Sequence, residues 1–417
     1  MSQVLTGAFV FFLLLMVGLK YWLATRQMRH VSRHADAVPT QFADRVTLDA
    51  HRRAAAYTIT KTRLAMLETA FGALVLVSLT LLGGLDAIAE TLRGWIASDF
   101  LFQLALVGTV ALLLSLLDLP FAWLRQFRIE QRFGFNRMTP GLWLADLAKS
   151  LVLTVALGLP LLAAVVALMR EAGSYWWIAV WLLWVGFNAI VLVLYPTVIA
   201  PLFNRFEPLK DSALAERITA LLTRTGFSSR GVFVMDGSRR SAHGNAYFTG
   251  LGQAKRIVFF DTLVERLQPP EIEAVLAHEL GHFKLRHITK RLVFTFGLSL
   301  VFLALLGWLS TQVWFYTGLG VTPSLVGGDE GMALILFMLV LPVFTFVFAP
   351  LTSLLSRKHE YEADAFAARN ASADDLVNAL VKLYQDNAAT LTPDPLHSAF
   401  YDSHPPATLR VERLMNP

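Results

Sequence analysis

The residues His278-Glu279-Leu280-Gly281-His282 carry the strongest chemical signal in the chain. Two histidines four apart on a helix project from one face. Imidazoles placed so suit two ligands of a single tetrahedral zinc. Glu279 follows the first of them. It stands beside the metal without ligating it, in place to take a proton from a zinc-activated water. With ten His and fourteen Glu in 417 residues, chance supplies H-E-x-x-H about 0.01 times in this length. The motif is therefore read as a metal site and not as a charged surface helix.

A catalytic zinc needs a third protein ligand and an open position for water. An extension of the motif would put Gly at 285 and His at 288, where Leu285 and Ile288 stand. His287 is one residue out of register and reads as a surface histidine or one standing behind the ligands. The third ligand must come from elsewhere. The stretch Arg357-Lys358-His359-Glu360-Tyr361-Glu362-Ala363-Asp364 offers one. Glu360 and Asp364 lie four apart on an expected helix, so one can ligate while the other holds a ligand histidine in its tautomer. Spacing does not decide between Glu360, Glu362 and Asp364. The chain has no cysteine, which removes thiolate ligands and nucleophiles.

The elements that position these residues are mostly membrane helices. Hydrophobic residues make up 55% and charged ones 16%, against roughly 45–50% and about 25% in soluble domains. Mean hydropathy is +0.53. Disordered, fibrous, disulfide-rich and ordinary soluble classes are excluded. Seven stretches are long and apolar enough to cross a bilayer: Leu5–Ala24, Leu64–Leu85, Leu101–Leu124, Ser150–Met169, Ala172–Asn204, one within Leu292–Gly328, and Gly331–Ser356. The first has no basic leader and no small-residue cleavage site, so it reads as a retained helix. Pro196 and Pro201 are expected to bend or end the fifth. Chain organisation follows: 1–204 with five spans, a polar segment 205–291 carrying the metal motif, spans six and seven in 292–356, and a polar tail 357–417. Pro269-Pro270 and Glu271 mark the start of the motif helix.

Charge gives a direction. Between the first two spans lie Arg26, Arg29, Arg33, Arg45, Arg52, Arg53, Lys61 and Arg63 against three Asp. The next connection carries Asp86, Glu90 and Asp99 against Arg93, and the third, around Arg125–Arg137, is basic again. The positive-inside rule then puts the N-terminus outside, with both polar regions and the C-terminus in the cytoplasm.

The pairing of His278-Glu-Leu-Gly-His282 with Glu360-Tyr-Glu-Ala-Asp364 in a seven-span chain resembles the Ste24 type of membrane zinc metalloprotease, the CAAX prenyl protease 1 family. The segments Ile129–Asn136, Pro201–Pro208, Ser241–Tyr247 and Ser403–Pro406 match as well. The resemblance implies a mainly α, polytopic fold. Seven transmembrane helices enclose a chamber, with a gluzincin-like α+β zinc protease domain on the cytoplasmic side. It implies that one Zn2+ is held by His278, His282 and Glu360, with Glu279 as catalytic base. Asn245 and His404 would line the cleft and help hold the substrate or tetrahedral intermediate, while Asp364 and Arg410 would brace the ligands from behind. Glu68, Asp118 and Asn188, polar within apolar stretches, would face the chamber.

The function expected is hydrolysis of peptide bonds, near the C-terminus of prenylated CAAX-type peptides, by a monomer embedded in lipid, with no nucleic-acid partner. The absence of an ER-retrieval tail favours a bacterial inner membrane; in a eukaryote the ER membrane is expected. Three alternatives remain. An HtpX-like quality-control protease shares both metal motifs but has fewer spans. A site-2-type intramembrane protease needs its motif within a hydrophobic span, whereas Glu271, Glu273, Lys284 and Arg286 surround this one. A non-catalytic transporter or scaffold would carry a degenerate site, yet every required ligand is intact. The segment Asn245–Thr249 is expected to be extended beside Val232–Met235 and Ile257–Phe260, as a sheet edge to which a peptide could add.

Overall fold

A computed structural model describes residues 1–229, 231–249, 256–324 and 328–416. Residues 325–327, part of the sixth apolar stretch, lie outside the described residues. Seven helical segments are long and apolar enough to cross a membrane: Ser2–Arg33, Leu48–Leu79, Asp99–Glu130, Pro140–Glu171, Gly173–Phe203, His287–Leu309 and Glu330–Asn370. Their cores are α1 (Ser2–Arg33), α2 (Leu48–Leu79), α3 (Asp99–Leu124), α4 (Pro140–Leu153) with α5 (Leu159–Glu171), α6 (Trp176–Leu194), α9 (His287–Leu309) and α10 (Glu330–Thr345), the last continued by α11 (Ala349–Asn370). Between the fifth and sixth spans lie α7 (Ser212–Thr225) and α8 (Pro269–Lys284). After the seventh come α12 (Ala373–Asp386), α13 (Pro395–Tyr401) and α14 (Ala407–Met415).

The helices outrun the apolar stretches. α2 begins at Leu48, well before Leu64, and α1 carries its helix through Arg26, Arg29 and Arg33. Basic residues have good helix propensity, so a span keeps its hydrogen-bonded ladder where it leaves the hydrocarbon. Much of what reads as a polar loop is therefore helix. Thr47, Ser98 and Thr139 cap the second, third and fourth spans with side-chain oxygens, satisfying backbone donors at the helix starts. Pro196 falls in a π-helical stretch, Tyr195–Ile199, and the fifth span ends at Phe203, two residues after Pro201.

The spans share a hydrophobic core at the end away from the polar domain. Phe9, Leu79, Leu85, Phe102, Leu106, Leu319 and Leu336 form one buried cluster there. Nearer the polar domain they part around cavities. One of about 270 Å³ is lined by Glu68 and Asp118. Another of about 580 Å³ is lined by Lys20, Lys61, Glu68 and Arg125. Glu68 and Arg125 pair at 2.5 Å. These charges thus face cavities, as expected of ionisable groups in spans. Asn188 instead donates to the Trp184 carbonyl of its own helix at 2.7 Å.

The polar regions build an α+β domain. Its sheet has the order β1 (Phe206–Pro208), β2 (Val232–Met235), β4 (Arg256–Phe260), β3 (Ala246–Thr249). β2 and β4 run parallel, and β3 is antiparallel to β4 at an edge. α8 turns Ile272, Leu276 and Leu280 into a core with Ile257, Phe259, Leu376 and Val377. The i, i+4, i+8 spacing of those three residues commits one face of α8 to the core. The histidines occupy another.

Candidate active site

α8 starts where its sequence says it should. Gln268 and Glu271 form a capping box, with Pro269 and Pro270 opening the first turn. Glu271 is further held by Lys382 of α12 at 2.7 Å. One turn from the C-terminal end, Gly281 lets α11 come close. A Cβ there would stand 3.0 Å from Ala363 Cα and 3.1 Å from Phe366 Cβ. This close approach brings Glu360 up to the two histidines.

The donor atoms converge. His278 Nε2 and His282 Nε2 are 3.2 Å apart. His278 Nε2 lies 3.5 Å from Glu360 Oε2, and His282 Nε2 lies 3.3 Å from Glu360 Oε1. Ligand bonds of 2.0–2.1 Å at tetrahedral angles separate donors by about 3.3 Å. Each histidine nitrogen already lies about one such edge from the other and from one of the two Glu360 oxygens, and one donor atom from each of the three residues lies within 4.8 Å of the others. Glu360 Oε2 is buried and accepts no hydrogen bond, a cost that a cation at the centre removes. Chemistry, spacing and the orphaned oxygen all fit a divalent zinc-like ion.

Behind this cluster the groups are buried and ordered by charge. Asp364 Oδ1 accepts from His278 Nδ1 at 2.8 Å, so the ring's lone pair on Nε2 faces the cluster. Arg410, on α14, clamps Asp364 with Nε at 2.8 Å and Nη2 at 2.5 Å. It also stands 3.7 Å from Glu360. His278, Glu360, Asp364 and Arg410 are all buried. Burial opposes the His278 imidazolium, but the Asp364 and Glu360 carboxylates outweigh it and carry the ring up to about 9 when no metal is bound. Burial likewise opposes the Arg410 charge, and Asp364 more than restores it.

Glu279 differs from these. It makes no hydrogen bond or ion pair within the described residues. Burial raises its carboxyl above the ordinary range, against the pull of His278 and His282. That combination suits a group that must accept a proton and later release it. His404 is exposed, with Nε2 3.5 Å from Glu360 Oε1. It follows α13 and precedes α14, at the open side of the cluster. Asn245 is exposed just before β3, and its Oδ1 accepts from the Ala246 N–H at 2.8 Å.

Of the three acidic candidates on α11, only Glu360 meets both histidines. Asp364 sits behind His278, and Glu362 pairs with His287 at 2.9 Å. The surface reading of His287 is corrected: its side chain is 4% exposed. Spacing along a continuous helix could not show this, because the chain leaves α8 at Leu285 and turns back. Arg286 takes a left-handed conformation, φ 56°. That conformation costs a non-glycine residue about 1–2 kcal/mol and returns His287 to the metal face.

Comparisons with known proteins place the family and the fold. The family described as "CAAX prenyl protease N-terminal, five membrane helices" matches residues 27–205, and "Peptidase family M48" matches residues 208–417. The chain belongs to peptidase family M48. Among its relatives, a CAAX prenyl protease 1 homolog of Arabidopsis thaliana is 39% identical over 76% of this chain and 73% of its own length. CAAX prenyl protease 1 of Saccharomyces cerevisiae is 37% identical over 75% and 72%. The crystal structure of S. mikatae Ste24p superposes with a TM-score of 0.91 at 29% identity, covering 99% of both chains. Family M48 membership and seven candidate spans make the chain a multi-pass membrane metalloprotease acting on peptide or protein substrates.

Proposed function

We propose that the chain is a zinc endopeptidase that cleaves near the C-terminus of prenylated CAAX-type polypeptides, with its active site on the cytoplasmic face. The observation that carries the zinc assignment is the convergence of His278 Nε2, His282 Nε2 and the Glu360 carboxylate, one donor atom from each within 4.8 Å of the others. The relatives named as CAAX prenyl proteases support the substrate class. The basic connections support the orientation, since Arg26 pairs with Asp394, Arg240 with Asp146, and Gln385 with the Arg45 carbonyl, all on the protease end.

His278, His282 and Glu360 hold the zinc, oriented by Asp364 and Arg410. When bound, zinc supplies a Lewis acid that polarises the scissile carbonyl and makes water acidic enough to attack at neutral pH. Glu279 takes the proton of the attacking water and passes it to the leaving amine. His404, at the exposed side of Glu360, donates to the developing oxyanion. The extended substrate adds to the outer edge of β3, the last strand of the sheet among the described residues, with Asn245 at its entrance.

The test uses purified full-length chain with matched prenylated and unprenylated peptides, with and without a chelator. Release of a C-terminal tripeptide from the prenylated substrate, abolished by chelation, is expected. Equal cleavage of both would replace CAAX processing by an HtpX-like specificity. Stoichiometric zinc with no hydrolysis would leave a scaffold or transporter.

A further inference from the structure

His282 has a second ring nitrogen that the scheme above leaves unused. Its Nδ1 lies 3.1 Å from Nδ1 of His287. The other nitrogen of His287, Nε2, lies 2.9 Å from Glu362 Oε2. His359 lies flat over His287, ring centroids 4.1 Å apart and planes within 11°. Two side chains outside the catalytic set, His287 and Glu362, thus run in line behind one ligand, with His359 stacked on the first.

The protons on this line are determined. An imidazole that ligates through Nε2 carries its one proton on Nδ1. His282 Nδ1–H must then donate to His287 Nδ1, which accepts. The His287 proton is left on Nε2, where the Glu362 carboxylate accepts it. Each assignment forces the next, and the line ends on an anion that favours it. We propose that His287 and Glu362 are a positioning pair that fixes the tautomer and ring plane of His282. They pass a carboxylate's hold through one extra imidazole, where Asp364 holds His278 directly. The proposal rests on the zinc reading above.

His287, His359 and Glu362 could also be taken for a second cation site, since their donor atoms lie within 4.8 Å of one another. The stacking argues against it. A metal lies near the plane of each imidazole that ligates it, and two nearly parallel rings 4.1 Å apart have no shared in-plane point. Both His287 nitrogens are, in addition, already engaged.

The experiment measures zinc affinity of the full-length chain by competition with a chromogenic chelator, with melting temperature as a check on folding. Wild type should bind one zinc; binding none would sink the zinc reading itself, and two per chain would overturn the positioning role in favour of a second site. Given one, His287→Ala should weaken zinc about 10–100-fold. His287→Gln, whose amide oxygen still accepts from His282, should recover part of that. Glu362→Ala should weaken zinc less, and adding it to His287→Ala should cost nothing more, because the two act in series. Wild-type affinity in both single alanine variants would overturn the proposal. So would additive losses, or a His287→Gln variant no better than alanine. Should His287→Ala fail to fold, the partly exposed Glu362 decides: weakening in Glu362→Ala sustains the pair, and none removes it.

Discussion

Glu279 separates holding a metal from using it. It contributes no donor to the triangle, so Glu279→Gln should keep zinc at wild-type stoichiometry while kcat falls by about 10²–10⁴; turnover near wild type would remove Glu279 from the role of base. Its pH dependence has a definite sign. A base works deprotonated, and burial raises this carboxyl. The acid limb of kcat/KM should therefore lie above the ordinary glutamate value of about 4.3, with activity lost as pH falls through it. A limb at or below that value would contradict the burial argument. At this scale the sequence was legible where one helix held the information. His278, Glu279 and His282 follow from spacing alone. The choice among Glu360, Glu362 and Asp364 does not, because all three ride one stretch of α11. Their partners differ only through what α8, α14 and the Arg286 turn bring to them.

The contact between α8 and α11 turns these residues into a site. Gly281 is its tightest point, with Ala363 and Phe366 within 3.0–3.1 Å of where a Cβ would stand. Gly281→Ala should cost about 1–3 kcal/mol by overpacking and weaken zinc by pushing Glu360 away. Gly186→Ala and Gly297→Ala, where a Cβ meets nothing within 4 Å, should leave zinc affinity unchanged. Thermal unfolding and zinc titration of the three variants check this, and equal behaviour would refute the close-packing argument. The role of Gly281 was hidden in the sequence, since a glycine inside a motif reads as a spacer until the neighbouring helix is known. Helix lengths were hidden similarly. Hydropathy ends a span at its first charges, whereas α11 runs on from the seventh span through Glu360 to Asn370. The third donor is therefore rigidly joined to a membrane helix.

For the whole molecule, the polar contacts show which connections share an end with the protease domain. The seventh span runs on to Glu360 beside His278 and His282, and Arg240 ties the domain to the fourth span through Asp146 at 2.8 Å and to Asn204 at 3.0 Å. At the opposite end the Thr322 N–H and hydroxyl both donate to Asp86, joining the connections after spans two and six. The basic connections thus lie at the protease end, and the positive-inside rule predicts that this end faces the cytoplasm. The chain contains no cysteine, so single cysteines report position against a clean background. Ser174 is exposed in the turn Gly173–Tyr175 that opens the fifth span, and Asp374 is exposed on α12 of the domain. In intact cells a membrane-impermeant thiol reagent should label Ser174→Cys, and should label Asp374→Cys only after permeabilisation. The reverse pattern would invert the protein in its membrane and leave the metal chemistry untouched, because the donor triangle depends on α8 and α11 and not on which aqueous phase they face.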